Sequence, residues 1–540
     1  MRSTTVLLSL ALLLPPAGLS AQADTAVDPP PLYEDLGAYH HPIATSVPEA
    51  QAYFDQGLRL YYAFNHQEAV RSFREAQRLD DRCAKCWWGE ALAWGPNINL
   101  PMDEPSGRAA WAALQGALAR RDHASVKEQA LIDALALRYE ADPPADRAHL
   151  DRAWAEALGE LAQAHPDDAE IRVLHAEALM DLRPWDYWTA EGEPQPGIPE
   201  ALEGLRHVQE LNPEHPGGCH FYIHAVEKLF PEDAVACAER LAGMMPGAGH
   251  LVHMPGHIYI RVGRYRDAIQ ANRHAIHADE TYIRDQRPGM GMYTAGYYPH
   301  NYDFLAFASM MVGDGDAAVE AASQVATLIP EELHGATGMD FLQQWSMRPL
   351  LFQVRFERWD AIQAVERPRE DRPHATALWH YAQGRAAAAQ GDLQAARGHL
   401  TSLQAVVRGG ALEGLRMEFN RSVDLIPVAE AVLAGRISAA EGRYGEAADE
   451  LREAVRLEDA LLYGEPPEWS IPTRQDLGEV LLEGDRPGEA EAVFRADLDR
   501  FPRNVWSLKG LEEALRRQGR TAEADDATNE LARVRSGEGG

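Results

Sequence analysis

The stretch Leu477 to Pro502, LGEVLLEGDRPGEAEAVFRADLDRFP, decides the fold. Leu477 and Leu481 stand four residues apart with the small Gly478 between them, the spacing that puts residues on one face of an α-helix. Gly484 and Pro487 break the pattern, and it resumes with Ala490 and Phe494, again four apart, until Pro502 stops it. Two short helices joined by a tight turn, each with a small and a large residue at fixed offsets, is the expected result.

The same arrangement recurs along the chain. Residues 50–83 give Gly57-x2-Leu60, then Ala69-x3-Phe73 and Ala76, and Gly256-x2-Tyr259 is followed by Ala268 and Ala275. A glycine followed five residues later by alanine appears at Gly263/Ala268, Gly313/Ala318, Gly391/Ala396, Gly442/Ala447 and Gly519/Ala524. Glycine ends one helix cheaply, and alanine lets the next pack closely on it. Alternating strand-like runs are scarce. On these residues the chain resembles tetratricopeptide repeat proteins, arrays of helix-turn-helix units. The resemblance implies an all-α fold, an α-solenoid of about nine helical pairs across residues 45–535. Residues 35–365 further resemble exported bacterial tetratricopeptide proteins of unassigned activity. The segments that carry this are 83–91 (CAKCWWGEA), 95–99 (GPNIN), 183–188 (RPWDYW) and 253–259 (HMPGHIY).

Pro-rich interruptions fall at residues 183–200, 284–299, 366–374 and 464–472. They divide the chain into an irregular segment 24–44, an array with loop insertions over 45–365, and a more regular array over 366–540.

Composition narrows the function classes. Of 540 residues, 46% are hydrophobic and 25% charged, as in a soluble folded protein, and the net charge of −32 opposes nucleic acid and anionic membranes. Residues 1–23 read as a signal peptide: Arg2, the apolar run Val6 to Leu14, and Ala21-Gln22-Ala23 before Asp24. No Cys follows that run to take a lipid anchor, and no later run reaches the ~18 residues of a membrane span. An exported, periplasmic or secreted, soluble protein is expected. In an oxidising compartment Cys83-x2-Cys86, Cys219 and Cys237 read as disulfide partners or as thiols packed in helices. Trp87 after Cys86 excludes the haem-attachment pattern.

Ten of the 21 histidines lie between His207 and His300. His220 and His224 share a helical face with Glu227, and His250, His253 and His257 share another. The pairs His220/His224 and His253/His257 are 33 residues apart, close to one repeat, and His300 opens a further helix. Imidazoles so spaced suit zinc or copper, with His220, His224, His253 and His257 as principal ligands, His250 and His300 at the edges, and Glu227 as ligand or general base. Met254, Met290 and Met292 add thioethers that favour Cu(I), although Met also fills gaps in helical cores. Asn97, Asn99, Trp185, Trp188, Tyr293 and Tyr298 are candidate ligand-binding groups in the loops; asparagine beside glycine and proline is also ordinary turn chemistry. Two functions follow. One is a repeat scaffold binding a peptide, protein or small ligand in its concave groove. The other is a metal-binding protein or metal-dependent enzyme using the histidines. No H-E-x-x-H, G-x-S-x-G, phosphate-loop or dinucleotide signature is present, so no reaction is named.

Overall fold

The computed structural model of the chain describes residues 29–189, 191–330, 333 and 338–537. The expected signal segment 1–23, Asp24 and the first residues of the irregular segment lie outside the described residues. Among the described residues the chain is helical, with no β-strand beyond isolated bridges such as Asn97 with Leu100. No helix among them is long and apolar enough to cross a membrane.

Helices pair through short turns, as in Pro48–Tyr62 with His66–Leu79 and Thr473–Glu483 with Pro487–Arg500. The repeat motif is legible in atomic terms. The Phe494 ring lies where a Cβ on either Gly478 or Gly510 would stand, so the phenyl is wedged between two successive first helices. Phe73 is wedged in the same way between Gly57 and Gly89. Both glycine pairs are 32 residues apart, and both rings are buried. Burial of a phenyl group contributes about 1.5–3 kcal/mol. A methyl group on any of these glycines would push the helices apart.

The turns follow a second rule. Gly263, Gly313, Gly391, Gly442 and Gly519 all have φ between 75° and 82°, and the alanine five residues on is fully buried each time. Left-handed backbone costs an L-residue about 1–2 kcal/mol, which glycine avoids. Three sister turns lack glycine. Phe64 (φ 56°) precedes buried Ala69, Glu357 (φ 55°) precedes buried Ile362, and Asp485 (φ 56°) precedes buried Ala490. Glu357 and Asp485 are exposed; Phe64 is buried.

The described residues form two compact units, one within 29–255 and 274–294, the other within 256–273 and 295–537. In the first, the non-helical residues 29–47 are fastened to the opening helical pair. Tyr53 Oη donates to the Pro30 carbonyl at 2.9 Å, Gln56 Nε2 to the Pro31 carbonyl at 2.9 Å, and Arg59 Nε to the Tyr39 carbonyl at 2.7 Å. The second unit has a continuous core running from Met347 to Ala524. Residues 366–372, in the stretch where the sequence places an array boundary, lie inside this second unit, between helices Trp359–Gln363 and Pro373–Ala389.

All four cysteines are in disulfides. Cys83–Cys86 closes the start of helix Ala84–Ala93, and Cys219–Cys237 ties helix Pro216–Val226 to helix Val235–Met244.

Candidate metal centre

Helix Pro216–Val226 is buried along its whole length, with proline at its start supplying a preset φ. Gly217 sets its depth: a Cβ there would lie 2.6 Å from the Tyr62 ring. The close approach brings His220 Nδ1 to 2.7 Å from the Tyr62 carbonyl oxygen. A carbonyl only accepts, so Nδ1 carries the hydrogen and Nε2 keeps its lone pair. One turn on, His224 Nδ1 is 3.4 Å from Glu227 Oε1, which selects the same tautomer. A carboxylate or carbonyl on the far nitrogen is the usual way a metal-binding imidazole is aimed.

The third imidazole is His250. Its short helix Gly249–His253 begins at a glycine because the Asp279 carboxylate occupies the space a Cβ would take. Asp279 Oδ1 in turn accepts from Tyr293 Oη at 2.6 Å. Burial, followed by the neighbouring Asp279 charge, pushes the Tyr293 hydroxyl well above its ordinary pKa, so it stays a donor.

His250 Nε2 lies 3.1 Å from His220 Nε2, and one nitrogen each of His220, His224 and His250 falls within 4.8 Å of the others. A tetrahedral zinc site with bonds of about 2.0–2.1 Å has ligand–ligand edges of about 3.3–3.4 Å. The three imidazoles are thus close to a ligand set. All three are buried, as is Glu227.

Aromatic rings wall the cluster. The Phe64 centroid lies 4.5 Å from that of His220, and the ring stacks on His250 at 5.2 Å and on His224 at 6.5 Å. Trp185 meets His224 edge-on at 5.1 Å. Phe64 and Trp185 (φ 65°) both hold left-handed backbone, which is uncommon for bulky residues and gathers at functional sites.

The remaining sequence-derived residues are divided between the two units. The expected stripe His250, His253 and His257 is interrupted at Met254, because Pro255 supplies no N–H to continue the helix. His253 stays in the first unit, its ring 5.9 Å from that of His250. His257 and His300 belong to the second unit, with ring centroids 5.9 Å apart. His257 Nδ1 is 3.2 Å from Glu465, which also pairs with Arg261 at 3.5 Å. Asn97 Oδ1 accepts from the Asn99 N–H at 2.9 Å and the Leu100 N–H at 3.1 Å, which closes a turn. Trp188 donates to the Ala225 carbonyl at 2.8 Å and packs on Phe230. Tyr298 packs edge-on against Tyr302 in the second unit.

Sequence reasoning missed Phe64, the Tyr62 carbonyl and Asp279. Phe64 left one signal, an aromatic five residues before Ala69, where five other turns carry glycine.

Among the described residues the fold is all-α, an array of tetratricopeptide-like helix-turn-helix units with shared phenyl wedges and left-handed turns. No protein-family model and no curated protein matches it. Solved structures similar to it include the Cut9–Hcn1 hetero-tetramer of APC/C, at 15% identity over 86% of this chain and 76% of that one, with a TM-score of 0.32. The human IFIT1 dimer with m7Gppp-AAAA is 14% identical over 91% of each chain, with a TM-score of 0.33. Yeast Tom70 is 11% identical over 90% of this chain and 92% of its own, with a TM-score of 0.27.

Proposed function

We propose that the protein is an exported repeat scaffold holding one divalent metal ion, zinc by its donor set, on His220, His224 and His250. The 3.1 Å approach of the His220 and His250 Nε2 atoms, next to the tautomer fixed by the Tyr62 carbonyl, carries this reading. Three imidazoles leave a fourth tetrahedral position for water or substrate, the arrangement of zinc centres that act as Lewis acids. Glu227 serves to orient His224. The buried ligands behind Phe64 and Trp185 suit a small molecule at the open position better than a peptide or protein laid along the repeats. Two disulfides and the signal-like segment 1–23 support an oxidising, extracytoplasmic location.

The test is elemental analysis of the purified full chain after zinc loading and desalting, with copper measured alongside. About one zinc per chain is expected, falling well below that in His220→Ala and His250→Ala but not in the exposed-site control His149→Ala. Substoichiometric zinc in the wild-type chain, or the same loading in all three variants, would overturn the assignment.

A further inference from the structure

Glu170, in the first turn of helix Ala169–Asp181, is a buried carboxylate on which four side chains converge. Tyr62 Oη donates to Oε1 at 2.8 Å, and Tyr39 Oη donates to Oε2. His215 Nε2 and His41 Nδ1 stand 3.2 Å and 3.8 Å from Oε2. Rings close over the group, the Tyr39 and Tyr62 centroids lying 4.6 Å and 5.0 Å from that of His215. Burial would raise the carboxyl pKa, but the His215 hydrogen bond, the nearby His41 and the Tyr39 hydroxyl outweigh it and hold Glu170 well below the ordinary carboxylate range. Glu170 therefore stays an acceptor.

Two of its partners lead to the metal centre. Tyr62 ends helix Pro48–Tyr62, and the last four carbonyls of a helix have no partner within it. Its carbonyl is the one that accepts from His220 Nδ1 at 2.7 Å, while its hydroxyl is tied to Glu170. His215 is the N-cap residue of helix Pro216–Val226, which carries His220 and His224. Among the described residues His215 Nδ1 has no hydrogen-bond partner, so the ring is held through its Nε2 on Glu170. One carboxylate thus grips both sides of the His220 contact, the residue that accepts and the helix that donates.

We propose that Glu170 is a positioning residue of the metal centre, which fixes the Nδ1–H tautomer of His220 by holding Tyr62 and His215 in register. This rests on the assignment of the metal to His220, His224 and His250. A shift of the Tyr62 carbonyl by about 1 Å would take the 2.7 Å contact past hydrogen-bond range. His220 could then carry its hydrogen on Nε2, the nitrogen that faces His250 and would bind the metal.

The test is nitrogen-15 NMR of histidine-labelled, metal-free full-length protein, with the His220 signals assigned by their loss in His220→Ala. Zinc affinity of the same variants is measured by chelator competition. Tyr62→Phe keeps the ring and the backbone carbonyl and removes only the tie to Glu170. Glu170→Gln keeps one acceptor oxygen and removes the charge. Both should move part of His220 to the Nε2–H form and weaken zinc about tenfold. Leu114→Ala, at a buried residue of the same unit on helix Glu104–Ala119, loosens the fold and should move neither readout. A wild-type His220 tautomer or wild-type zinc affinity in folded Tyr62→Phe and Glu170→Gln, or the same changes in Leu114→Ala, would overturn the proposal. Absence of zinc binding by the wild-type chain would overturn the metal assignment instead, and the tautomer in the metal-free variants would still decide whether Glu170 sets His220.

Discussion

Replacing Phe64 by glycine separates backbone from side chain at the turn that covers the histidines. At φ 56° the phenylalanine bears a left-handed penalty of about 1–2 kcal/mol, which glycine would relieve. The ring itself is 2% exposed and touches all three imidazoles, and deleting a buried phenyl costs about 3–5 kcal/mol. The loss of the ring wins, leaving a net destabilisation of about 1–4 kcal/mol and a fall in Tm of about 2–8 °C. The sister substitutions Glu357→Gly and Asp485→Gly delete only exposed side chains, so relief of strain dominates and stability holds or rises by up to about 1 kcal/mol. Differential scanning fluorimetry of the three variants, with and without zinc, gives the opposite signs directly. In Phe64→Gly the zinc-dependent rise in Tm should also shrink, because water enters beside the ligands. A Phe64→Gly chain as stable as Glu357→Gly, with an unchanged zinc response, would refute the claim that the strain is held in place by packing on the histidines.

Three further outcomes are expected. Glu227→Gln removes the carboxylate from His224 Nδ1 and should lower zinc affinity about 10–100-fold in a chelator-competition titration; unchanged affinity would rule out its orienting role. Lys85 lies buried over the Trp88 ring, where burial lowers its pKa to about 7 against an unfolded value of about 10.4. Unfolding therefore takes up a proton between about pH 7 and pH 10, and wild-type stability rises through that window by up to about 1.4 kcal/mol per pH unit. Lys85→Met should stabilise the chain most near pH 7 and progressively less toward pH 9. Urea midpoints whose difference does not change with pH would contradict this. Cys237→Ser opens the link across 18 residues to the helix carrying His220 and His224 and should cost about 3 kcal/mol. A Tm equal to that of the wild-type chain would mean the disulfide adds nothing to that helix.

The fold was legible because its rule is local. A glycine five residues before an alanine writes both the left-handed turn and the buried contact into one short string. Gly478 and Phe494 similarly declare a close approach through size alone. His220 and His224 were legible because four residues make one helical turn. The surroundings of His250 were harder to read: Pro255 interrupts the helical period between His253 and His257, and His250 is placed by Asp279 and Tyr293 from a segment about 30–40 residues downstream. The Tyr62 carbonyl that sets the His220 tautomer has no sequence signature at all, since every residue carries a carbonyl.

The wedged phenyl groups also have a kinetic meaning. Phe73 fills a slot whose two walls, Gly57 and Gly89, come from consecutive first helices. No single hairpin can complete that slot, so an isolated pair gains only part of the contact, and the next pair to dock supplies the remainder. Order should then spread along the chain by neighbour-to-neighbour growth from any point where two hairpins have met. Excising one repeat from the middle would bring together glycines and aromatics that have never shared a slot.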